Sequence, residues 1–511
     1  MNSMRKFLAF ILCSGFAFSL FAQKAKVEIK HTDIMKGDRE VRKLYGNVIF
    51  QHDNAFMYCD SALSYAKDNR FEAYGNVRIV NKDVTVYGDT LYYSSSSNMA
   101  SLRGDIRMIH DKMTLTTRFL DYDLKKNLGF YQNGGRIVDE TNVLTSEIGQ
   151  YFVNDKMLFF KNSVELKNPN YVMVTDTLKY QNGTSIAYFV GPTTVTSSEN
   201  VIFTKNGWYN TKTDQAQLYN DSYLNNGAKF IYSDDMFYDR NKDEGTIRKN
   251  AKIQDTTQKL TLYSQYGFYQ GKKRAVFMTD SVLVVKAFQQ DSLYLHADSL
   301  FFNQYTIAPR DSTETDSVTY EIIKAYHNTR FFKDDLQGVC DSLVYNALDS
   351  MIYLCVNPIV WSEENQMTGF DIRLKLGDNN TRLDQVIIES DAFVVAQCEE
   401  EKFNQMKGKS LIGYIEDNEL VRVDMFQNGE TLYYLKDDDE IVGVNKAVCS
   451  NISAYLKNGK IDKIVFKNKP EGTFSPLDQF PKKMSLMDNF KWYDAVRPVN
   501  ATDVYRKCGS R

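Results

Sequence analysis

The sequence predicts an all-β protein, an elongated and twisted β-jellyroll built from stacked repeats of about 29 residues. Three observations predict this class. Residue types that favour strands (Val, Ile, Thr, Tyr and Phe) dominate the patterned stretches, whereas only 8 of the 511 residues are proline. Tyrosine recurs at a fixed spacing, which is typical of a repeat architecture. Within a repeat, apolar side chains alternate with polar ones, as they do in half-buried strands.

A tyrosine marks each repeat. Seven of these tyrosines follow one another at a constant step, of which only the first is one residue shorter: Tyr65, Tyr93, Tyr122, Tyr151, Tyr180, Tyr209 and Tyr238. A second set keeps the same step without a break and contains only residues that tolerate a positive φ: Gly46, Gly75, Gly104, Asn133, Asn162, Gly191 and Asn220. We therefore expect the backbone to bend in the same way at every member of the second set.

Three further columns keep the same spacing and are apolar in every repeat. The first column contains Phe50, Ile79, Met108, Ile137, Leu166, Val195 and Leu224. The second contains Met57, Val86, Leu115, Leu144, Met173, Ile202 and Ile231. The third contains Leu44, Ala73, Leu102, Tyr131, Phe160, Phe189, Leu218 and Ile247. Such columns indicate a stack, because one repeat cannot bury its apolar face until its neighbour covers it.

Each repeat is interpreted as two long strands. Residues 76–79 and 84–87 alternate between apolar and polar side chains, and residues 81–83 and 95–98 supply turn chemistry beside them. Each strand is expected to bend near its middle at a Gly-Asn or Gly-Asp pair. Because a bent strand can lie in two facing sheets, antiparallel stacking of such strands gives a jellyroll with one apolar groove along its length.

The sequence divides into five segments. Residues 1–22 carry Arg5 and Lys6 before an apolar run and have the layout of a cleaved secretory signal, so we expect an exported protein. The other segments are regular repeats over 23–305, a polar inserted loop over 306–318, further β repeats over 319–470, and a proline-containing tail over 471–511 that is expected to cap the stack.

Charge and motif content exclude several classes of function. A net charge of −3 lacks the basic footprint of a nucleic-acid-binding protein, so DNA and RNA are excluded as partners. The five histidines are scattered outside known catalytic and metal-binding motifs, so no catalytic residue, metal ligand or cofactor is predicted. The acidic runs Asp437–Glu440 and Glu399–Glu401 are interpreted as solvated turns. Cys340 and Cys355 are compatible with a disulfide bridge or with buried free thiols, and both interpretations stay open.

Two repeated motifs resemble a known family. Gly-Asn-Val opens the segments 46–50 and 75–79, and Asp-Thr-Leu followed by a tyrosine two residues later occurs at 89–93 and 176–180. Repeated in phase behind a secretory signal, they resemble the OstA-like (organic solvent tolerance) family. That family includes the periplasmic bridge of the lipopolysaccharide transport machine and the N-terminal domain of its outer-membrane translocon. The resemblance is strong from about residue 27 to 302 and continues more weakly to about residue 476.

The resemblance implies a periplasmic bridge protein, free or associated with the outer membrane. It would shield the acyl chains of lipopolysaccharide or a similar glycolipid and support outer-membrane assembly. It would also join other jellyroll components of the transport machine by edge-strand addition. The candidate lipid-binding residues are the inner-column members Phe50, Met57, Ile79, Val86, Met108, Leu115, Ile137, Leu144, Leu166, Met173, Val195 and Ile202.

Two alternatives accompany this expectation. The apolar columns either line an open groove or pack against each other as a dry core, because both look alike at a period of two. The alternative function is a non-transporting periplasmic or surface β-scaffold that binds protein or glycan on tyrosine-rich exterior faces such as those at Tyr65 and Tyr93. An enzyme is not expected.

Overall fold

The computed structural model describes residues 26–288, 291–307, 317–377, 382–437 and 440–506. The predicted signal segment, and most of the predicted inserted loop, lie outside these ranges. The chain divides between Pro169 and Asn170 into two compact units, and each is described by itself below. Across the described ranges, no helix has the length and apolar character that crossing a bilayer would require.

The first unit is an antiparallel β-structure. Its strands, as far as residues are described, are β1 (Glu28–His31), β2 (Ile34–Gly37), β3 (Val41–His52), β4 (Ala55–Tyr65), β5 (Arg70–Asn81), β6 (Val84–Ser94), β7 (Met99–His110), β8 (Met113–Asp123), β9 (Leu128–Tyr131), β10 (Gly135–Asp139), β11 (Asn142–Ser146), β12 (Ile148–Phe152) and β13 (Met157–Asn168). From β3 to β8, each strand pairs with the next one along the chain. The two-strand repeat predicted from the tyrosine spacing is therefore confirmed here.

The second unit is also antiparallel. Its described strands are β14 (Tyr171–Gln181), β15 (Ile186–Ser197), β16 (Val201–Asn210), β17 (Gln215–Asn225), β18 (Lys229–Asp239), β19 (Glu244–Asp255), β20 (Leu260–Gln270), β21 (Ala275–Ala287), β22 (Ser292–Ile307), β23 (Val318–Lys333), β24 (Leu336–Asn346), β25 (Met351–Cys355), β26 (Ile359–Ser362), β27 (Asn365–Thr368), β28 (Ile372–Gly377), β29 (Arg382–Ile388), β30 (Ala392–Glu399), β31 (Lys402–Gly408), β32 (Ser410–Glu416), β33 (Glu419–Asp437), β34 (Glu440–Lys457), β35 (Lys460–Lys467) and β36 (Glu471–Pro476). Four short 3₁₀ turns follow at Leu477–Gln479, Lys482–Met484, Asp494–Val496 and Asp503–Tyr505. The predicted all-β class is confirmed in both units.

The long strands bend at the predicted glycine and asparagine positions. In β3 the pairing with β4 shifts register between Tyr45 and Val48, and the two skipped residues have φ values of 76° at Gly46 and 45° at Asn47. Positive φ also occurs at the equivalent residues Gly75, Gly104, Asn162, Gly191 and Asn220. Such a β-bulge, with two residues opposite one, bends the strand without ending its ladder.

Asn133 is the exception, and the prediction for it was wrong. The positive φ of 86° falls on Gly134, one residue later. At this position the long strand is interrupted, because β9 ends at Tyr131 and β10 begins at Gly135. The glycine beside the predicted asparagine adopts the left-handed conformation at lower steric cost.

At several corners an acidic side chain from a neighbouring strand accepts a hydrogen bond from the bend. Asn76 Nδ2 donates to Asp60 Oδ2 at 2.8 Å, and the backbone N–H of Asp105 donates to Asp89 Oδ2 at 3.0 Å. In the second unit Asn250 Nδ2 donates to Asp234 Oδ2 at 2.6 Å. Asp89 opens the Asp-Thr-Leu motif, so the two sequence motifs of the repeat meet at one corner.

That the tail caps the stack stays a prediction, and the structure shows where residues 485–493 pack. The tail backbone lies along a sheet face of the second unit, where Gln366 Nε2 donates to the Lys491 carbonyl at 2.8 Å and the Tyr493 N–H donates to Gln366 Oε1 at 2.7 Å. Gln405 binds the tail in the same way through Ser485 and Met487. Because the sequence of the tail has no repeat, it gave no indication that the tail would pack on this sheet face.

Candidate functional site

The first two apolar columns merge into one ladder of directly opposed side chains, the inner ladder. In the first unit it runs through Phe50, Met57, Ile79, Val86, Met108, Leu115, Ile137, Leu144 and Leu166, each opposite the next. The second unit has a row of the same kind, through Met173, Val195, Ile202, Leu224 and Ile231. The structure thus brings the candidate lipid-binding residues together in one row per unit.

The candidate residues are closely packed. All twelve are between 0% and 5% exposed. Phe50 stacks on Phe71 of the facing half-strands at a ring-centroid distance of 3.9 Å, so the two halves of each bent strand face each other across the ladder. In the first unit this interior is a packed core, and a lipid-binding role of these residues stays a prediction.

Polar pairs close the first unit along the side opposite the corners. His52 Nδ1 bonds to the Tyr93 hydroxyl, and His110 Nδ1 bonds to the Tyr151 hydroxyl. Between these two pairs, Asn81 Nδ2 donates to the Tyr122 hydroxyl at 3.2 Å. His52, Asn81 and His110 keep the step of the repeat, and each tyrosine lies 41 residues further on. The tyrosines therefore tie the two facing sheets together.

This arrangement corrects the expectation that the tyrosines form an exterior binding face. Tyr93 is only 2% exposed and Tyr122 is fully buried. Tyr65, at the start of the row, is half-buried. Burial raises the pKa of Tyr122 to about 12, so its hydroxyl remains a proton donor at neutral pH.

The tyrosines have different partners in the second unit. The Tyr209 hydroxyl donates to Asp214 Oδ1 at 2.8 Å, and the Tyr238 hydroxyl donates to Asp243 Oδ1 at 3.2 Å. Both aspartates lie in the hairpin turn that follows the tyrosine's own strand, not in the facing sheet. These bonds therefore satisfy the tyrosines without joining the two sheets.

A cavity of about 410 Å³ lies where this connection is missing. It reaches the inner ladder and the third apolar column, and its apolar walls are Leu224, Ile231, Met236, Ile247, Tyr238 and Tyr269. Ile231 is half-buried, whereas the ladder residues of the first unit are almost completely buried. The volume of this cavity lies in the size range of small-molecule sites, and nearly half of its lining residues are polar or charged.

The mouth of the cavity is formed by two rows of hairpin turns. One rim carries Glu199 and Lys229, and the other carries Arg240, Asp243 and Lys272. Lys272 Nζ donates to the Asn241 carbonyl at 2.6 Å, which holds its ammonium group at the rim. The site thus combines apolar walls with a charged entrance, which suits a ligand with an apolar chain and a polar head.

The tyrosines in the cavity are neutral donors. Burial, and secondly the Asp243 carboxylate, raise the pKa of both Tyr238 and Tyr269. Their hydroxyls therefore stay protonated at neutral pH. That of Tyr238 donates to Asp243 Oδ1, and that of Tyr269 can donate to a polar group at the mouth. They contribute hydrogen bonds but no charge.

One group of side chains has the composition of a metal site. Ligand atoms of Asp83, His110 and Asp111 lie within 4.8 Å of one another. His110 Nε2 lies 2.9 Å from Asp83 Oδ2, and Lys156 Nζ lies 2.6 Å from Asp111 Oδ2. The lysine ammonium already supplies the positive charge that the carboxylates favour, so this group is an ion-pair network between hairpin turns.

The structure decides between the two interpretations of Cys340 and Cys355 and shows where the acidic runs lie. Cys340 and Cys355 are free thiols, and burial raises the pKa of Cys340 to about 12. The run at Glu399–Glu401 forms the turn between β30 and β31, where Glu399 pairs with Lys402 at 2.8 Å. Asp437 lies opposite Glu440 at the next acidic run, whose central residues are outside the described ranges.

The rim residues were missed from the sequence, although a signal was present. Tyr209 and Tyr238 both have an aspartate five residues further on, at Asp214 and Asp243. Tyr122 instead has Asn127 at that position, whose side chain accepts a hydrogen bond from Tyr122 and from Asn81. At Tyr209 and Tyr238 the aspartate accepts a hydrogen bond from the hydroxyl within the same hairpin.

The fold and this interior define the class: an antiparallel β-protein of two-strand repeats with an apolar ladder inside each unit. Comparison with protein families gives a match to the family described as OstA-like protein, over residues 24–176 and 164–234. The resemblance predicted from the motifs is confirmed over these residues, and its continuation to about residue 476 stays a prediction.

Eleven chains of solved structures also match. One is the crystal structure of LptH from Pseudomonas aeruginosa, described as the LptA homologous periplasmic component of the conserved lipopolysaccharide transport device. It is 12% identical, with a TM-score of 0.21, and the match covers 28% of this chain and 98% of that chain. No curated protein matches the sequence.

Proposed function

We propose that this protein is a periplasmic carrier that holds the acyl chains of lipopolysaccharide or a similar glycolipid inside its β-structure. The observation that carries the proposal is the cavity of about 410 Å³ on the inner ladder of the second unit. The OstA-like match over residues 24–234 supports the class of cargo. The secretory layout of residues 1–22 supports the compartment.

The energetic basis is burial of methylene groups. Each methylene group that leaves water for such an interior stabilises the complex by about 0.8 kcal/mol. Leu224 and Ile231 offer apolar surface to the chain, while Lys229, Arg240 and Lys272 at the mouth can face an anionic head group. The protein acts by binding and shielding, and the proposal assigns it no catalytic step.

The edge strands support a further part of the proposal, docking of other jellyroll components. Among described residues, β1 and β2 each pair only with β3, and β35 and β36 each pair only with β34. Unpaired backbone groups along such strands recruit another strand. We propose that these edges join the neighbouring parts of a transport assembly and thereby support outer-membrane assembly.

Site-specific photo-crosslinking in cells tests the proposal. The probe is placed at Ile231 in the cavity and at Val86 and Met173 in the packed ladder. Tyr232 and Thr85, which point outward beside the first two, are the matched controls. Glycolipid adducts at Ile231 but not at Tyr232 are expected. Adducts at Val86 as well would extend the carrier function to the first unit. Folded protein without interior adducts would contradict the proposal and favour the non-transporting scaffold.

A further inference from the structure

The outer face of the first unit carries a row of arginines and tyrosines directly behind the inner ladder. Along this outer row the opposed residues are Tyr58, Arg78, Tyr87, Arg107, Thr116, Arg136 and Thr145. The three arginines keep the step of the repeat. Successive arginines are two strands apart, which corresponds to about 10 Å at the usual strand spacing.

The arginines of the outer row are exposed and have no acidic partner. Arg78, Arg107 and Arg136 form no ion pair with any residue that the structure describes. Arg70 and Arg103 of the same unit are instead paired with Glu72 and Asp121, both at 3.2 Å. Three unpaired positive charges at equal spacing are unusual on a protein whose net charge is −3.

Tyrosine rings hold the guanidinium groups in place. The Arg78 guanidinium lies 4.2 Å from the centre of the Tyr58 ring, and that of Arg107 lies 4.9 Å from the centre of the Tyr87 ring. A stacked guanidinium keeps its N–H edges available, and those edges match the two oxygens of a phosphate or carboxylate. The row thus presents anion-binding groups on rigid strands.

The carboxylates nearest to the row already accept hydrogen bonds from residues at the strand bends. Asp60 and Asp89 accept hydrogen bonds from Asn76 and from the backbone of Asp105. These bonds hold the two carboxylates at the bend, beside the row and not within it. The next acid along the row itself is Glu165, opposite Thr145, and it is paired with Lys167 at 2.5 Å.

We propose that the outer row binds an anionic glycan, a polysaccharide that carries phosphate or carboxylate groups. Equal spacing of the arginines fits a polymer with repeated charges, and the hydroxyls of Tyr87, Thr116 and Thr145 lie beside them for sugar hydroxyl groups. The parallel row on the same face contains Phe56, Val80, Thr85, Ile109, Thr114, Val138 and Val143, all half-buried. The three arginines are therefore the exposed side chains of these two rows.

The test uses the full mature chain and two probes, polygalacturonate and phosphorylated dextran, with neutral dextran as comparison. Binding is measured by calorimetry at low salt and at about 0.15 M salt, because exposed charge pairs are screened by salt. The row variant is R78Q/R107Q/R136Q. The matched control, R70Q/R103Q/K112Q, removes the same charge from cations that already have acidic partners.

The row variant is expected to weaken binding of at least one anionic probe by about tenfold or more, because charge-assisted bonds are lost, while the control changes it by less than about twofold. Circular dichroism and urea unfolding verify that both variants are folded. R78K/R107K/R136K keeps the positive charge but lacks the planar, two-pronged donor edge of the guanidinium group. This variant is expected to show an intermediate loss of affinity. The proposal is overturned by equal losses in the row variant and the control, by no binding of either anionic probe, or by binding to anionic phospholipid vesicles alone.

Discussion

At Gly75 the backbone has a φ of 74°, and a Cβ atom there would lie 2.5 Å from Asp60 Oδ2. The residue is thus constrained twice, by its own conformation and by the acid that completes the corner. Gly134 offers a direct comparison. Its φ is 86°, but nothing lies within 4 Å of the position that a Cβ atom would take there. Comparing alanine variants at these two glycines therefore separates the free-energy cost of backbone strain from the cost of displacing Asp60.

We expect Gly75→Ala to destabilise the protein more than Gly134→Ala does. Left-handed backbone costs an L-residue about 1–2 kcal/mol, and this applies to both variants. Gly75→Ala also displaces Asp60 and weakens its bond to Asn76, which adds about 1 kcal/mol. Urea unfolding measures the difference. Equal losses would show that the Asp60 contact contributes nothing to stability.

A second prediction at the residue scale concerns pH. Burial lowers the pKa of His296 below its ordinary value, and its Nδ1 lies 2.9 Å from the Val282 carbonyl. The unfolded chain therefore binds a proton at a higher pH than the folded one. Stability is present above the ordinary value of about 6.5 and is lost as the pH falls below it.

His296→Asn keeps a side-chain N–H but cannot titrate. Unfolding free energies measured between about pH 5 and pH 7.5 are expected to fall less steeply with acidification in this variant than in the unaltered protein. The exposed His31, changed to Asn, is the control. Parallel pH profiles for the unaltered protein and His296→Asn would contradict the prediction.

At the scale of elements, the glutamines beneath the tail act as clamps for an extended segment. Gln366 is fully buried and Gln405 is 3% exposed. Each amide binds a carbonyl and an N–H of the tail two residues apart, as a neighbouring strand would. Met487 and Trp492 then pack against the same sheet face.

Gln366→Leu is expected to loosen the tail. The variant leaves the Lys491 carbonyl and the Tyr493 N–H without their partner, at about 1–3 kcal/mol for each buried group. Limited proteolysis should cut residues 477–506 faster than in the unaltered protein. Gln132→Leu, at an exposed position, is the control and should not change the rate. Unchanged cleavage in Gln366→Leu would mean that apolar packing alone holds the tail.

The elements were predictable from sequence where they repeat. The spacing of the tyrosines located the two-strand unit. The spacing of the glycines and asparagines located six of the seven bends, because the backbone bends in the same way in these repeats. It failed at Asn133, where the strand is interrupted, and at the tail, which has no period. The inner ladder was also predictable, since period-two alternation defines a face.

The position of the cavity was not predictable in the same way. Whether the interior is closed depends on pairs such as His52 with Tyr93, which join facing sheets across 41 residues of sequence. A column of apolar residues carries no information about those pairs. Only with the register known does the partner of Tyr238 explain why the interior opens beside it.

At the scale of the whole molecule, the chain consists of two compact units that meet in sequence at Pro169 and Asn170. We expect two unfolding transitions in urea. Gly75→Ala should shift one of them and Gln366→Leu the other, since the two residues lie in different units. Circular dichroism and tryptophan fluorescence can follow them, because Trp208, Trp361 and Trp492 all belong to the second unit. A single transition shifted equally by both variants would contradict this expectation.

The corner bonds also determine how such a chain can change in length during evolution. A corner such as that of Asn76 with Asp60 joins one strand to an acid of its neighbour, so gain or loss of one complete two-strand unit leaves the remaining corners of this kind intact. A shorter insertion within a strand separates an acid from its corner. Extra residues are therefore expected to be tolerated in hairpin turns and not within strands.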